Sequence, residues 1–298
     1  MQVLQIALSG IAQGCIYGLI ALGFVLIYKA TETVNFAQGE LMMLGAFLGL
    51  TGATVLGLPF WASIGATMLV MFLFGMLLER SLLRPLLGQP AFTIVMVTIG
   101  FAYFARGVVT MIPSWGTDTH SLPVPYKDEL LRFGEPDASG VQLVVSVEHL
   151  AIILATALLC AILFLFFRYT RLGIAMQAAS QNQLAAFYMG IPVRRLNALV
   201  WGISAGVAAC AGILLAPVTF VHSNMGFIGM KAFPAAVVGG FGSIPGAIVG
   251  GLVIGLVESF SGFYLPEGFK DIAAYIVVLL MLTVKPNGLF GDSLRKRV

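Results

Sequence analysis

Apolar residues run in eight long stretches, roughly residues 5–28, 36–57, 59–79, 91–112, 149–167, 197–217, 232–258 and 269–284, with most of the charged residues falling between them. The runs are continuous rather than alternating. Their lengths are those of α-helices that cross a hydrocarbon core, which takes about 20 residues. The pattern therefore predicts an all-α polytopic bundle of about seven to eight transmembrane helices. One run is interrupted: "VVGGFGSIPGAIVGG" places Gly239, Gly240, Gly242, Pro245 and Gly246 in the middle of 232–258. Two short halves joined at membrane depth, entering and leaving on the outer face, make a re-entrant hairpin; a kinked spanning helix is the alternative.

Composition agrees with a membrane chain. Of 298 residues 59% are hydrophobic and 10% charged, with mean hydropathy +0.99, against about 45–50% and about 25% in soluble domains. Lys and Arg counted near the run ends give the orientation. Arg80 and Arg84, then Arg168, Arg171, Arg194 and Arg195, and in the tail Lys285, Arg295, Lys296 and Arg297 against Asp292, mark cytoplasmic segments. The stretch 113–148 sets Lys127 and Arg132 against Asp118, Asp128, Glu129, Glu135, Asp137 and Glu148 and belongs outside. With Lys29 inside, seven crossings follow, the N-terminus outside and the C-terminus in the cytoplasm. Residues 1–9 lack a basic leader, so no cleaved signal peptide is expected. Cys15, Cys160 and Cys210 sit inside apolar runs without CxxC spacing and read as packed thiols.

Small residues recur every four positions at Gly10, Gly14 and Gly18, at Gly242, Gly246 and Gly250, at Gly45, Gly49 and Ala53, and at Gly202 and Gly206. Such stripes let helix backbones touch in lipid, where no hydrophobic drive operates between helices. Polar residues are rarer and more pointed. In "TVNFAQGELMMLGAF", Asn35 and Gln38 have the spacing of a capping box, each side chain bonding the other's amide, and Glu40 suits the positive end of the helix. The same helix start also reads as the border of a solute path, since polar groups at membrane depth face a cavity or a partner. Arg106, near the outer end of its run, is expected to snorkel. Glu79 and Arg80 stand at an inner boundary, Glu258 and His222 at outer ones. No connected set of acids and histidines at mid-membrane stands out, as a proton-driven carrier would require.

The cytoplasmic stretch "RYTRLGIAMQAASQNQLAAFYMGIPVRRLNA" carries Leu184, Phe187 and Tyr188 at helical spacing beside Gln177, Ser180, Gln181 and Asn182, and is stopped by Gly190 and Pro192. With Ala178, Ala179, Ala185 and Ala186 on one side, this short helix fits a groove on another protein, or else lies on lipid. The order "AASQNQLAAFYMGI", followed by "LNALVWGISAGVAACAGILLAP", resembles the coupling loop and next helix of bacterial ABC importer permeases. "VNFAQGELMMLGAF" and "PAAVVGGFGSIPGAIVGGLVIGLVES" resemble hallmark stretches of the high-affinity branched-chain amino acid permease family, and the similarity runs nearly end to end.

The resemblance implies one permease domain over 1–298, with an external loop at 113–148 and a coupling loop at 168–196. It also implies a non-enzymatic subunit in a bacterial inner membrane, paired with a second related permease. Two ATPase subunits would dock on Ala178, Ala179, Ser180, Ala185, Ala186 and Gly190, and a periplasmic binding protein would deliver leucine, isoleucine or valine. Ser180 and Asn182 depart from the acidic residues such permeases often carry there. No cofactor is expected in this chain, ATP and Mg being held by the ATPases, and the chain indeed has no GxxxxGK[ST] phosphate loop. Membrane lipid is the remaining partner; nucleic acid is not one. Permeation of urea or short amides is the alternative solute reading, and an ion-coupled secondary transporter or a passive channel the alternative class.

Overall fold

The computed structural model describes residues 2–86, 88–127, 129–133 and 143–291. Asp128, Glu135, Asp137, Asp292, Arg295, Lys296 and Arg297, used above for orientation, lie outside these. The regular structure of the described chain is helical, apart from a two-stranded antiparallel ribbon. The helices are α1 (Gln2–Thr31), α2 (Gln38–Thr54), α3 (Phe60–Leu78), α4 (Ala91–Met111), α5 (Val147–Tyr169), α6 (Arg171–Gln181), α7 (Gln183–Tyr188), α8 (Val193–Thr219), α9 (Met225–Met230), α10 (Ala232–Gly239), α11 (Ile244–Tyr264) and α12 (Phe269–Val284). Strand β1 (Leu130–Phe133) pairs with β2 (Leu143–Ser146), Leu130 opposite Ser146. Among the described residues six helices are long and apolar enough to cross a membrane: α1, α3 with its continuation to Leu86, α4, α5, α8 and α11. The chain is a polytopic helical membrane protein.

α1 and α8 form the centre, and Tyr17, Phe24 and Trp201 are among their fully buried side chains. Glycine explains how they pack so closely. α1 lies antiparallel to α11, with Gly10 opposite Leu256 and Ser259, Gly14 opposite Leu252, and Gly18 opposite Ile248. A Cβ on Gly14 would stand 2.8 Å from the Leu252 Cα. Gly251 and Gly255 answer from α11, against Gly18 and Gly14; the four-residue reading of the sequence missed that second stripe. Gly45 meets Ala209, Gly49 meets Ile213, and Gly202 meets the Phe72 carbonyl, fixing α2 and α3 on α8. Because lipid supplies no hydrophobic drive, this backbone-to-backbone dispersion is the main cohesive term.

Two expectations about residues 232–258 are corrected. The break falls at 240–243 as the glycines require, but the limb after it, α11, is of spanning length and reaches Tyr264. The limb before it is the pair α9–α10, an interrupted path from Met225 to Gly239. α8 ends beside the segment that follows α4, where His120 and Val221 exchange backbone hydrogen bonds of 2.8 Å. The 240–243 turn lies at the other end of the bundle, where Phe241 packs on Tyr28 with ring centroids 4.9 Å apart. The chain therefore descends through α9–α10 to the far end of the bundle and returns through α11, whose last turns lie beside the start of α1. It leaves at the end where it entered, as a hairpin would, but the limbs are not two short halves and the join is not at membrane depth. Gly240 turns with φ 97, a left-handed conformation open to glycine. The carbonyls left over at the end of α10 accept from the Leu289 and Phe290 amides at 2.8 and 3.1 Å. Gly242 belongs to this turn and has no neighbour at the position of a Cβ, so it drops out of the packing stripe, whereas Gly246 and Gly250 face α10.

Candidate functional site

Between α1 and α2 the chain is irregular, and it is irregular in the middle of the bundle. Glu32, with φ 54, turns the chain out of α1, and α2 then starts level with Gly23 of α1 and with Ser204, midway along α8. Backbone of this kind survives at membrane depth only where protein satisfies it. Here the Phe36 amide donates to Thr98 Oγ1 of α4 at 3.2 Å, and the Ala37 amide to Asn35 Oδ1 at 3.0 Å.

The expected capping box does not form. Ala37, not Asn35, precedes the helix, and it makes no side-chain cap. Asn35 Nδ2 instead donates to Gln38 Oε1 at 3.2 Å, while Gln38 Nε2 donates to the Ser204 carbonyl at 3.4 Å. Ser204 Oγ lies 3.1 Å from both Gln38 Oε1 and the Gly23 carbonyl. Asn35, Gln38 and Ser204 are all wholly buried. A Cβ on Gly23 would collide with the Gln38 amide, so glycine makes room for a network spanning α1, α2 and α8. Fully connected buried polar networks of this sort fix one arrangement of helices.

Glu40, one turn further along, is 2% exposed and is ion-paired and hydrogen-bonded to Arg106 of α4. Arg106 therefore points inward and pairs, in place of the snorkelling expected for it. Its guanidinium also lies over the Phe227 ring of α9, 4.0 Å from the centroid, a cation–π contact that a desolvated site strengthens. The pair faces a cavity of about 220 Å³ walled by Phe36, Ile99, Tyr103, Phe227 and Met230. α9 can approach because glycines meet there: Gly39 touches Gly226 and Gly229. Arg106 Nε is buried and has no hydrogen-bond partner.

Other charges are paired as well. Glu79 takes Arg84 at 2.8 Å. Glu258, 2% exposed, lies 3.5 Å from Lys231, which also bonds Asp271 at the start of α12. The stretch between α5 and α8, expected in the cytoplasm, forms two short helices instead of one, broken at Asn182, whose Oδ1 accepts from the Ala185 amide at 2.9 Å and caps α7. The alanines do not share a free face: Ala179 and Ala186 are buried, Ala178 and Ala185 exposed, and Ser180 is half-buried. What stands out instead is Leu184, Phe187, Tyr188 and Met189, 66–82% exposed, next to Gly190 at φ 80.

Of the residues singled out in the sequence, Asn35, Gln38 and Glu40 are thus brought to one place, and the α6–α7 segment to another. Thr98, Arg106, Ser204 and Phe227 complete the first site. The signal for Arg106 was present: Glu40 and Arg106 are opposite charges in separate apolar runs, and each needs a partner.

Residues 6–284 match the family described as branched-chain amino acid transport system, permease component. The chain belongs to this family. Among the relatives of this permease component, the high-affinity branched-chain amino acid transport system permease protein BraD of Pseudomonas aeruginosa is 33% identical, covering 97% of this chain and 95% of that protein. The corresponding protein LivH of Escherichia coli is 31% identical over the same shares. A solved structure of PsaBC from Streptococcus pneumoniae in complex with Fab aligns with a TM-score of 0.44 at 13% identity, over 93% of this chain and 87% of that one. In this permease component the buried network, the Glu40–Arg106 cavity and the α6–α7 segment all lie inside the matched region.

Proposed function

We propose that this permease is one half of the translocation path of an ATP-driven importer for branched-chain amino acids. The observation that carries the reading is the helix start at Asn35–Glu40. There irregular backbone, a three-helix polar network and a buried ion pair converge at mid-depth on a cavity open at the protein surface beside Tyr103 and Phe227, both more than half exposed. In the assembly a second, related permease covers that face, and the path runs between the two. Two ATPases bind Leu184, Phe187, Tyr188 and Met189, with ATP and Mg held in those subunits, and a binding protein delivers the solute to the outer end. The chain lies in the bacterial inner membrane with its C-terminus in the cytoplasm. The relatives' transport of branched-chain amino acids supports the choice of solute.

The test is reconstitution of this chain with its partner permease, ATPases and binding protein in liposomes, following labelled leucine. Uptake is expected only with internal ATP and external binding protein. The buried carboxylates Glu40 and Glu258 favour one second reading, ion-coupled transport. That reading predicts uptake driven by a proton gradient without ATP and abolished by a protonophore, which would displace the importer reading.

A further inference from the structure

We propose that the cavity between α2, α4 and α9 is a transit site for a free α-amino acid, with Arg106 taking its carboxylate and Glu40 its ammonium. The inference rests on the permease reading above and adds the chemistry of recognition. Opposite charges on two different helices face one cavity of about 220 Å³. That volume is below the roughly 300–1,000 Å³ of sites for drug-sized ligands and suits a smaller solute. Without a solute the pair closes on itself and the site is neutral. A zwitterion inserted between the two side chains replaces one ion pair by two, and the site is neutral again. A lone cation or anion would leave either Arg106 or Glu40 buried and uncompensated, which is strongly unfavourable.

Three further features suit this exchange. The guanidinium has a donor to spare, since Arg106 Nε is buried and unpaired, and a carboxylate can accept from Nε and a terminal nitrogen together. Phe227 holds the guanidinium from one side, so Arg106 keeps its place when Glu40 turns to the ammonium. Gly226 leaves space for that turn, because a Cβ there would lie 2.6 Å from Glu40 Oε1. The rest of the wall, Phe36, Ile99, Phe227 and Met230, is apolar and accepts an aliphatic side chain without asking for its shape. Recognition is thus of the amino-acid head group, with a permissive pocket for the rest.

The experiment uses the assembled complex in lipid nanodiscs without binding protein, and measures equilibrium binding of leucine, of leucinamide, which lacks the carboxylate charge, and of 4-methylpentanoate, which lacks the ammonium. Leucine is expected to bind at least about tenfold more tightly than either analogue, the scale of one charge-assisted hydrogen bond. Glu40→Gln is expected to weaken leucine about tenfold but to strengthen 4-methylpentanoate, because that anion then pairs with Arg106 without stranding a buried carboxylate. Unfolding midpoints, read alongside, separate this from loss of fold, and a merely structural ion pair would not distinguish the ligands. Equal binding of all three compounds, or no leucine binding by a complex that still takes up leucine with ATP, overturns the transit site and leaves the importer reading standing. Loss of ATP-driven leucine uptake in the unaltered complex overturns the importer reading itself.

Discussion

α1 and α4 are both apolar helices of spanning length, yet α1 is almost wholly buried and α4 mostly exposed. Hydropathy does not separate them, because lipid and protein interior are equally apolar. Glycine placement does. Gly10, Gly14 and Gly18 of α1 each meet the backbone of α11, while Gly100 and Gly107 of α4 have open space where a Cβ would stand. The exposed helix is tied to the core by polar contacts instead, through Arg106 to Glu40 and Thr98 to the Phe36 amide. Two modes of attachment therefore coexist: dense apolar contact at the centre, and a few strong polar links at the rim where the candidate site opens.

The sharpest way to break this contrast is Arg106→Ala, which leaves Glu40 buried and unpaired. A loss of about 3–5 kcal/mol is expected from the general cost of stranding a buried charge, measured by chemical unfolding of the purified chain; a shift below about 1 kcal/mol would mean that α4 is held by something else. Next comes Gly14→Leu, for which overpacking against Leu252 should cost about 1–3 kcal/mol or more and lower the yield of folded protein. Ser204→Ala removes a hydroxyl shared by Gln38 and the Gly23 carbonyl and should cost about 1–3 kcal/mol; a double-mutant cycle with Gln38→Leu should show coupling between the two. The smallest effect belongs to Gly100→Leu on α4, expected within about 0.5 kcal/mol of the parent. If Gly100→Leu were as damaging as Gly14→Leu, the rim would be packed like the core and the comparison would fail.

Much of the architecture was legible in the chain, since continuous apolar runs set the helices and the glycine–proline cluster set the turn at 240–243. The extent of the limbs was not, because nothing local says that α11 continues to Tyr264 or that α9–α10 is a connection from end to end. The site was half legible. Asn35, Gln38 and Glu40 marked the place, but a capping box is a local solution, and Ser204, distant in sequence, offered Gln38 a better one. Arg106 was misread for the same reason: snorkelling is what a lone cation does, and its partner lay on another helix. The face of α6–α7 was misjudged because Asn182 ends one helix and caps the next, rotating the alanines out of line.

The antiparallel seam of α1 and α11 also fixes a schedule. Gly14 is made roughly 240 residues before Leu252, and at about 5–20 residues per second the ribosome takes about 12–50 s to supply the partner. Through that interval the first helix waits with its glycine groove turned toward lipid tails or toward whatever else is inserting nearby. Of the candidate spans, one of the two most buried, α1, is thus the one whose glycine face waits longest for its partner.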